Sequence, residues 1–179
     1  MDKPTILRGR TLAIRDAEGR PIDDIDTDMI FHNSHLHITR LEEMGPHAFG
    51  NLPGWKDFPQ RVQPGDILVV GKNFGAGSSR QQAVDCFRAL GVAAIVGESF
   101  GAIYKRNAIN SGWPLFICPG ILSDSGLVNV GDELEIDLNA AQIRNRTTGH
   151  ELPPCDTFSR VQMDIYQAGS LFAFAKARS

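Results

Sequence analysis

Apolar positions along this chain come in short runs and stripes punctuated by glycine and proline. DILVV (66–70) is an apolar run of buried-strand length after Pro64-Gly65. VAAIV (92–96) and PLFIC (114–118) are two more. Between the first two, SRQQAVDCFRALG carries Ala83, Val84, Phe87 and Leu90 at three- and four-residue spacing, which predicts a helix stopped by Gly91. A second short helix is predicted over Phe100–Ser111, ending at Gly112. Strand, helix, strand, helix, strand implies a parallel α/β unit with crossovers.

The flanks follow other patterns. A strand is expected near residues 10–15, with a turn at Glu18-Gly19. GDELEIDL (131–138) alternates Leu134, Ile136 and Leu138 with acids, a half-buried strand, and AQIRNRTTGHEL reads as its hairpin-like partner. SRVQMDIYQAGSLFAFAK (159–176) predicts a C-terminal helix interrupted near Gly169. Residues 31–64 are rich in Gly, Pro and His and carry no strong period; a loop of that length is characteristically a lid or a disordered segment. The whole is expected to be one α/β domain over residues 1–179, a parallel core with added β-strands.

Composition narrows the class. With 179 residues and 42% apolar content the chain can bury a sizeable core. A net charge of −3 argues against a general nucleic-acid or membrane-surface binder. No apolar run approaches the roughly 20 residues that cross a bilayer, and MDKPTILRGR has no signal-peptide core. A soluble cytoplasmic protein is expected. Cys86, Cys118 and Cys155 are odd in number and far apart, with no CxxC or Cys/His ligand spacing. A disulfide framework is therefore not expected, nor a zinc or iron–sulfur site on this chain; buried or incidental thiols are.

The chemistry concentrates in GKNFGAGSSRQQA (71–83). GAGSSR lies between a predicted strand and a predicted helix, where free N–H groups favour an anion. Ser78 and Ser79 add hydroxyls, and Arg80 a bidentate fork for carboxylate or phosphate. The stretch lacks the GK[ST] of a P-loop, the third glycine of a dinucleotide fingerprint and the flanking glycines of a nucleophile elbow. The plain alternative is a capped helix start, with one serine as the cap.

GKNFGAGSSRQQA resembles the GxNFGxGSSRExA signature of the small subunits of 3-isopropylmalate dehydratase and homoaconitase, shared with the mobile C-terminal domain of aconitase. DDIDTDMI (23–30) is similar to that family's DxIDTDxI, and ESFGAIYKRNAINSGWPLFIC (98–118) to its SFAxIFxRNAINxGLPLxxC. PGDILVVGKNFG and GDELEIDL also match, so the likeness covers roughly residues 8–152 in order. It implies a swivelling β/β/α domain of an isomerising hydro-lyase. Such enzymes move a hydroxyl between adjacent carbons of a malate-like di- or tricarboxylate through an alkene. The [4Fe–4S] cluster is expected on a separate large subunit, with none bound by this chain.

By the same match Ser78 is the base that removes a proton from substrate carbon, Ser79 and Arg80 hold a substrate carboxylate, and Asp28 organises the site. Asp23, Asp24 and Asp26 read instead as turn or cap residues. Two departures stand out. Gln81-Gln82 replace the family's Glu-His, and HNSHLHITR (32–40) replaces a Pro-x-x-Tyr-Leu stretch that helps choose the substrate's side group. His35, His37 and Arg40 therefore become candidate substrate contacts favouring a polar or anionic substituent, against plain surface polarity. Homoaconitate, citrate, a methylated malate, or a non-catalytic anion-binding module are the alternatives to isopropylmalate.

Overall fold

A computed structural model describes residues 2–123, 126–156 and 158–178. Its frame is a six-stranded sheet: β1 (Ile6–Ala13), β2 (Ile67–Val70), β3 (Ala94–Gly97), β4 (Leu115–Ile117), β5 (Glu133–Asp137) and β6 (Gln142–Asn145), in the spatial order β4-β3-β2-β1-β5-β6. β1 to β4 pair in parallel, whereas β5 and β6 are antiparallel. Crossovers place α3 (Gln82–Ala89) after β2 and α4 (Ala102–Asn110) after β3. This is the expected parallel α/β core with added strands.

All four residues of β2 and of β3 are buried, as a parallel strand covered on both faces requires. Leu68, Val70 and Ile95 face one apolar cluster, with α3, α4 and residues of the 31–64 segment. Ile67, Val69, Ala94 and Val96 face the other, with Leu134, Ile136, Ile143 and Tyr166.

β1 begins at Ile6 rather than near residue 10. Residues 6–10 pair with β5, Ile6 opposite Asp137 and Arg10 opposite Glu133, and only Thr11–Ala13 pair with β2. That partner lies more than a hundred residues on, so the local pattern ILRGRTLA gives no sign of it. The C-terminal expectation holds. α5 (Arg160–Ala168) starts from a Ser159/Gln162 capping box and stops at Gly169 (φ 93°), and α6 (Leu171–Lys176) follows. Among the described residues no helix is long and apolar enough to cross a membrane.

Residues 31–64 are neither a free lid nor structureless. They form 3-10 turns at 33–35, 41–43 and 45–47 and the short helix α2 (Phe58–Arg61). Phe31, Phe49, Leu52, Trp55 and Phe58 are buried. The Phe49 ring packs edge-on against Phe58 at 4.9 Å and Phe87 at 5.0 Å, which ties the segment to α3.

The cysteine expectation is corrected. Cys118 and Cys155 form a disulfide, and Cys86 is a free buried thiol. The Asp156 N–H donates to the Ile117 carbonyl at 2.9 Å, which lays residues 153–156 along the end of β4 and brings together cysteines 37 positions apart. Tertiary pairing, invisible in the spacing, makes this contact.

Candidate functional site

Three sequence motifs meet at the carboxyl ends of β2 and β3. The glycine-rich stretch runs beside residues 24–27: Asp24 N–H donates to Lys72 O (2.9 Å), Gly75 N–H to Ile25 O (2.7 Å) and Thr27 N–H to Ala76 O (2.9 Å). On its other side Phe74 N–H donates to Ser99 O (3.1 Å) and Gly101 N–H to Phe74 O (2.9 Å). The acids before Asp28 are structural. Asp23 accepts from Lys72 N–H at 2.7 Å and Asp24 from the Asn73 amide at 2.8 Å. Asp26 caps the short helix α1 (Thr27–Ile30), accepting from Asp28 and Met29 N–H.

Gly75 has a reason to be glycine. Its φ is 74°, and a Cβ there would lie 2.3 Å from the Tyr104 ring. The close neighbour of this backbone is thus α4, whose Tyr104 also donates to Ala83 O at 3.2 Å and joins α4 to α3. The helix itself starts later than expected. α3 opens at Gln82 with Gln81 as N-cap and no side-chain cap, so neither serine caps it. Ser78 and Ser79 stand exposed on the turn just before. The N–H groups of Ser79, Arg80, Gln81 and Gln82 find no acceptor among the described residues.

Arg80 is held firmly at one nitrogen. Its side chain is 15% exposed, and Nη1 donates to Asp28 Oδ1 at 2.8 Å and to Phe31 O at 2.9 Å. Nε is buried with no partner among the described residues. Asp28 is bound in turn by the Asn33 N–H at 3.0 Å and the Asn51 amide at 3.1 Å, with His32 Nε2 3.9 Å away. The hydrogen bond from Arg80 holds the Asp28 carboxyl below its ordinary range, against the opposing effect of burial; the Asn33 N–H and the charges of His32 and Arg80 help. Ser78 is set by Thr27: their hydroxyl oxygens are 3.1 Å apart, and Ser78 N–H donates to Thr27 Oγ1 at 3.2 Å.

The histidine segment enters this cluster through His32 and Asn33 at Asp28, while His35, His37 and Arg40 make no hydrogen bond to Asp28, Ser78 or Arg80. His35 stacks on His47 at 4.0 Å and meets Phe31 edge-on at 6.1 Å. Its pKa is pushed down by burial first, then by His47, His32 and His37. His37 is exposed and bonds through Nδ1 to Ser34 O at 3.1 Å. Arg40 is exposed and ion-paired to Glu42 at 2.7 Å and Glu43 at 3.3 Å, so its fork is occupied locally. Gln82 reaches Leu36 O at 3.4 Å, linking the start of α3 to the segment.

Sequence reasoning passed over Thr27, Asn33 and Asn51. Thr27 lies inside the IDTD stretch and was open to detection there. Asn51 is 23 residues from Asp28 and gives no local signal. A depression of about 610 Å³ is lined by Leu12, Arg15, Trp55, Arg61 and Val130 among others, and by none of the residues around Ser78. Among the described residues no group of three or more His, Cys, Asp or Glu could hold a metal. With Cys118 bonded to Cys155 and Cys86 buried in α3, the thiols present do not fit an iron–sulfur cluster.

The chain and its fold are similar to known proteins. The aconitase C-terminal domain family matches residues 27–116. The isopropylmalate/citramalate isomerase small subunit of Methanocaldococcus jannaschii is 41% identical over 156 residues, 87% of this chain and 89% of the relative. A 3-isopropylmalate dehydratase small subunit of Pyrobaculum calidifontis is 37% identical over 97% of this chain and 99% of its own length. A crystal structure of 3-isopropylmalate dehydratase from Methanocaldococcus jannaschii superposes with a TM-score of 0.83 at 33% identity, covering 97% of this chain and 95% of the other.

Proposed function

The chain belongs to the aconitase C-terminal domain family, among the 3-isopropylmalate dehydratase small subunits, and on that premise we propose how its residues share the work. It is the small subunit of a hydro-lyase of the 3-isopropylmalate dehydratase type, which acts with a large subunit. In this reading the large subunit carries the [4Fe–4S] cluster, whose chemistry is to take the substrate's leaving hydroxyl. Residues 1–179 form one domain that closes over it.

The observation that carries the residue assignment is the anchoring of Arg80 beside Ser78 and Ser79 on an exposed turn. Asp28 and Phe31 O occupy Nη1, which leaves Nη2 for a substrate carboxylate. Ser79 and the open N–H groups ahead of α3 add donors to the same anion. Ser78 takes the proton from the carbon next to the one bearing the hydroxyl. The C–H electron pair becomes the alkene as the hydroxyl departs, and rehydration on the neighbouring carbon returns the proton. A serine is a poor base unless its alkoxide is stabilised, and donors at this turn supply that.

The test is Ser78→Ala in the complex with the large subunit. Turnover of isopropylmalate is expected to fall by about a hundredfold or more, the contribution of a general base, with substrate still bound. Near-normal turnover would remove Ser78 as the base. A second reading, activity on a methylated malate as well, is favoured by the histidine segment beside Phe31 and by the double name of the Methanocaldococcus jannaschii relative. His35, His37 and Arg40 are its candidate contacts, and Arg40 needs release from Glu42 and Glu43 to serve.

A further inference from the structure

Thr27 is the residue in most direct contact with Ser78, and its hydroxyl faces it twice. Its Oγ1 accepts the Ser78 N–H at 3.2 Å and lies 3.1 Å from Ser78 Oγ. The residue is only 3% exposed, so water competes poorly for that hydroxyl. Its backbone is fixed at both ends, N–H to Ala76 O at 2.9 Å and carbonyl to Phe31 N–H at 3.0 Å, and a β-branched side chain has little χ1 freedom. Accepting from Ser78 N–H uses one lone pair and leaves the Thr27 proton free to point at Ser78 Oγ.

We propose that Thr27 is a positioning residue for Ser78: it fixes the direction of Ser78 Oγ and donates a hydrogen bond to it when that oxygen is ionised. The inference rests on the reading of Ser78 as the base. A charge-assisted bond of this kind strengthens as the serine loses its proton and weakens as it regains one. It therefore favours the reactive form of Ser78 without touching the substrate.

The experiment compares Thr27→Val, which keeps the shape and removes the hydroxyl, with Thr27→Ser, which keeps the hydroxyl, in the assembled enzyme. Thr27→Val is expected to lower kcat about tenfold or more, to leave KM within about twofold, and to move the acid limb of the pH–rate profile upward. Thr27→Ser should restore kcat and the limb. In a Ser78→Ala background Thr27→Val should change kcat no further. Normal kcat and pH profile in Thr27→Val beside a crippled Ser78→Ala would overturn this inference alone. A normal Ser78→Ala would overturn the base reading and this inference with it. Thr27→Ala covers poor accommodation of valine. If neither apolar variant folds or assembles while Thr27→Ser does, the hydroxyl is a requirement of the fold and the proposal fails.

Discussion

At the scale of single residues, the decisive contact is the pair Asp28–Arg80, which holds Nη1 and, in the proposed reading, leaves Nη2 to meet a ligand. Arg80→Lys offers an ammonium point charge where Asp28, Phe31 O and a substrate carboxylate each need a directed donor. Losing one charged hydrogen bond costs about 1.5–3 kcal/mol, so KM should rise about tenfold or more, with kcat less affected; an unchanged KM would count against the grip. Asp28 gives a pH test. Its carboxyl is held below the unfolded value near 3.9 by Arg80 first. Stability from the link is therefore complete above that value and is lost as pH falls through the lower folded one. A carboxyl titration followed by NMR should place the Asp28 midpoint below about 3.9, and a midpoint at or above it would mean the pair is not formed in solution. Ser78 and Arg80 stand out in the sequence within a dense motif, and the family resemblance is what singles Asp28 out from Asp23, Asp24 and Asp26. Asn51 could not, since the chain returns to Asp28 only after three 3-10 turns.

At the scale of elements, the 31–64 segment departs furthest from its sequence pattern. It has no helical or strand period, yet it is anchored by single aromatic side chains spaced along it. Phe49 is the clearest anchor, fully buried between the rings of Phe58, Phe74 and Phe87. Phe49→Ala should cost about 3–5 kcal/mol in denaturant unfolding; a loss under about 1 kcal/mol would mean the segment is not packed on α3. The strands β2, β3 and β4 and the helix α3 follow from local pattern because each completes its own apolar run or stripe, and α4 stops before Gly112 as its sequence suggests. The first half of β1 and the Cys118–Cys155 link depend on partners far along the chain, and local pattern does not carry such information. The start of α3 also moved, to Gln82, because no serine side chain bonds back to the helix.

At the scale of the whole molecule, the architecture places the proposed site on the surface. Ser78 and Ser79 stand exposed on a turn at the ends of β2 and β3, backed by Arg80 but not enclosed by this chain. Cys118 and Cys155 are bonded to each other and Cys86 is buried, and in the proposed reading the group that takes the hydroxyl comes with the large subunit. The central claim is that this chain is half of an active site, and one measurement bears on it most directly. Under anaerobic conditions, turnover of isopropylmalate is followed for this chain alone, for a cluster-loaded large subunit alone, and for the two mixed. Turnover is expected only in the mixture, rising to saturation at equal amounts of the two chains. Turnover by this chain alone, or an unchanged rate when it is added to the large subunit, would contradict the claim.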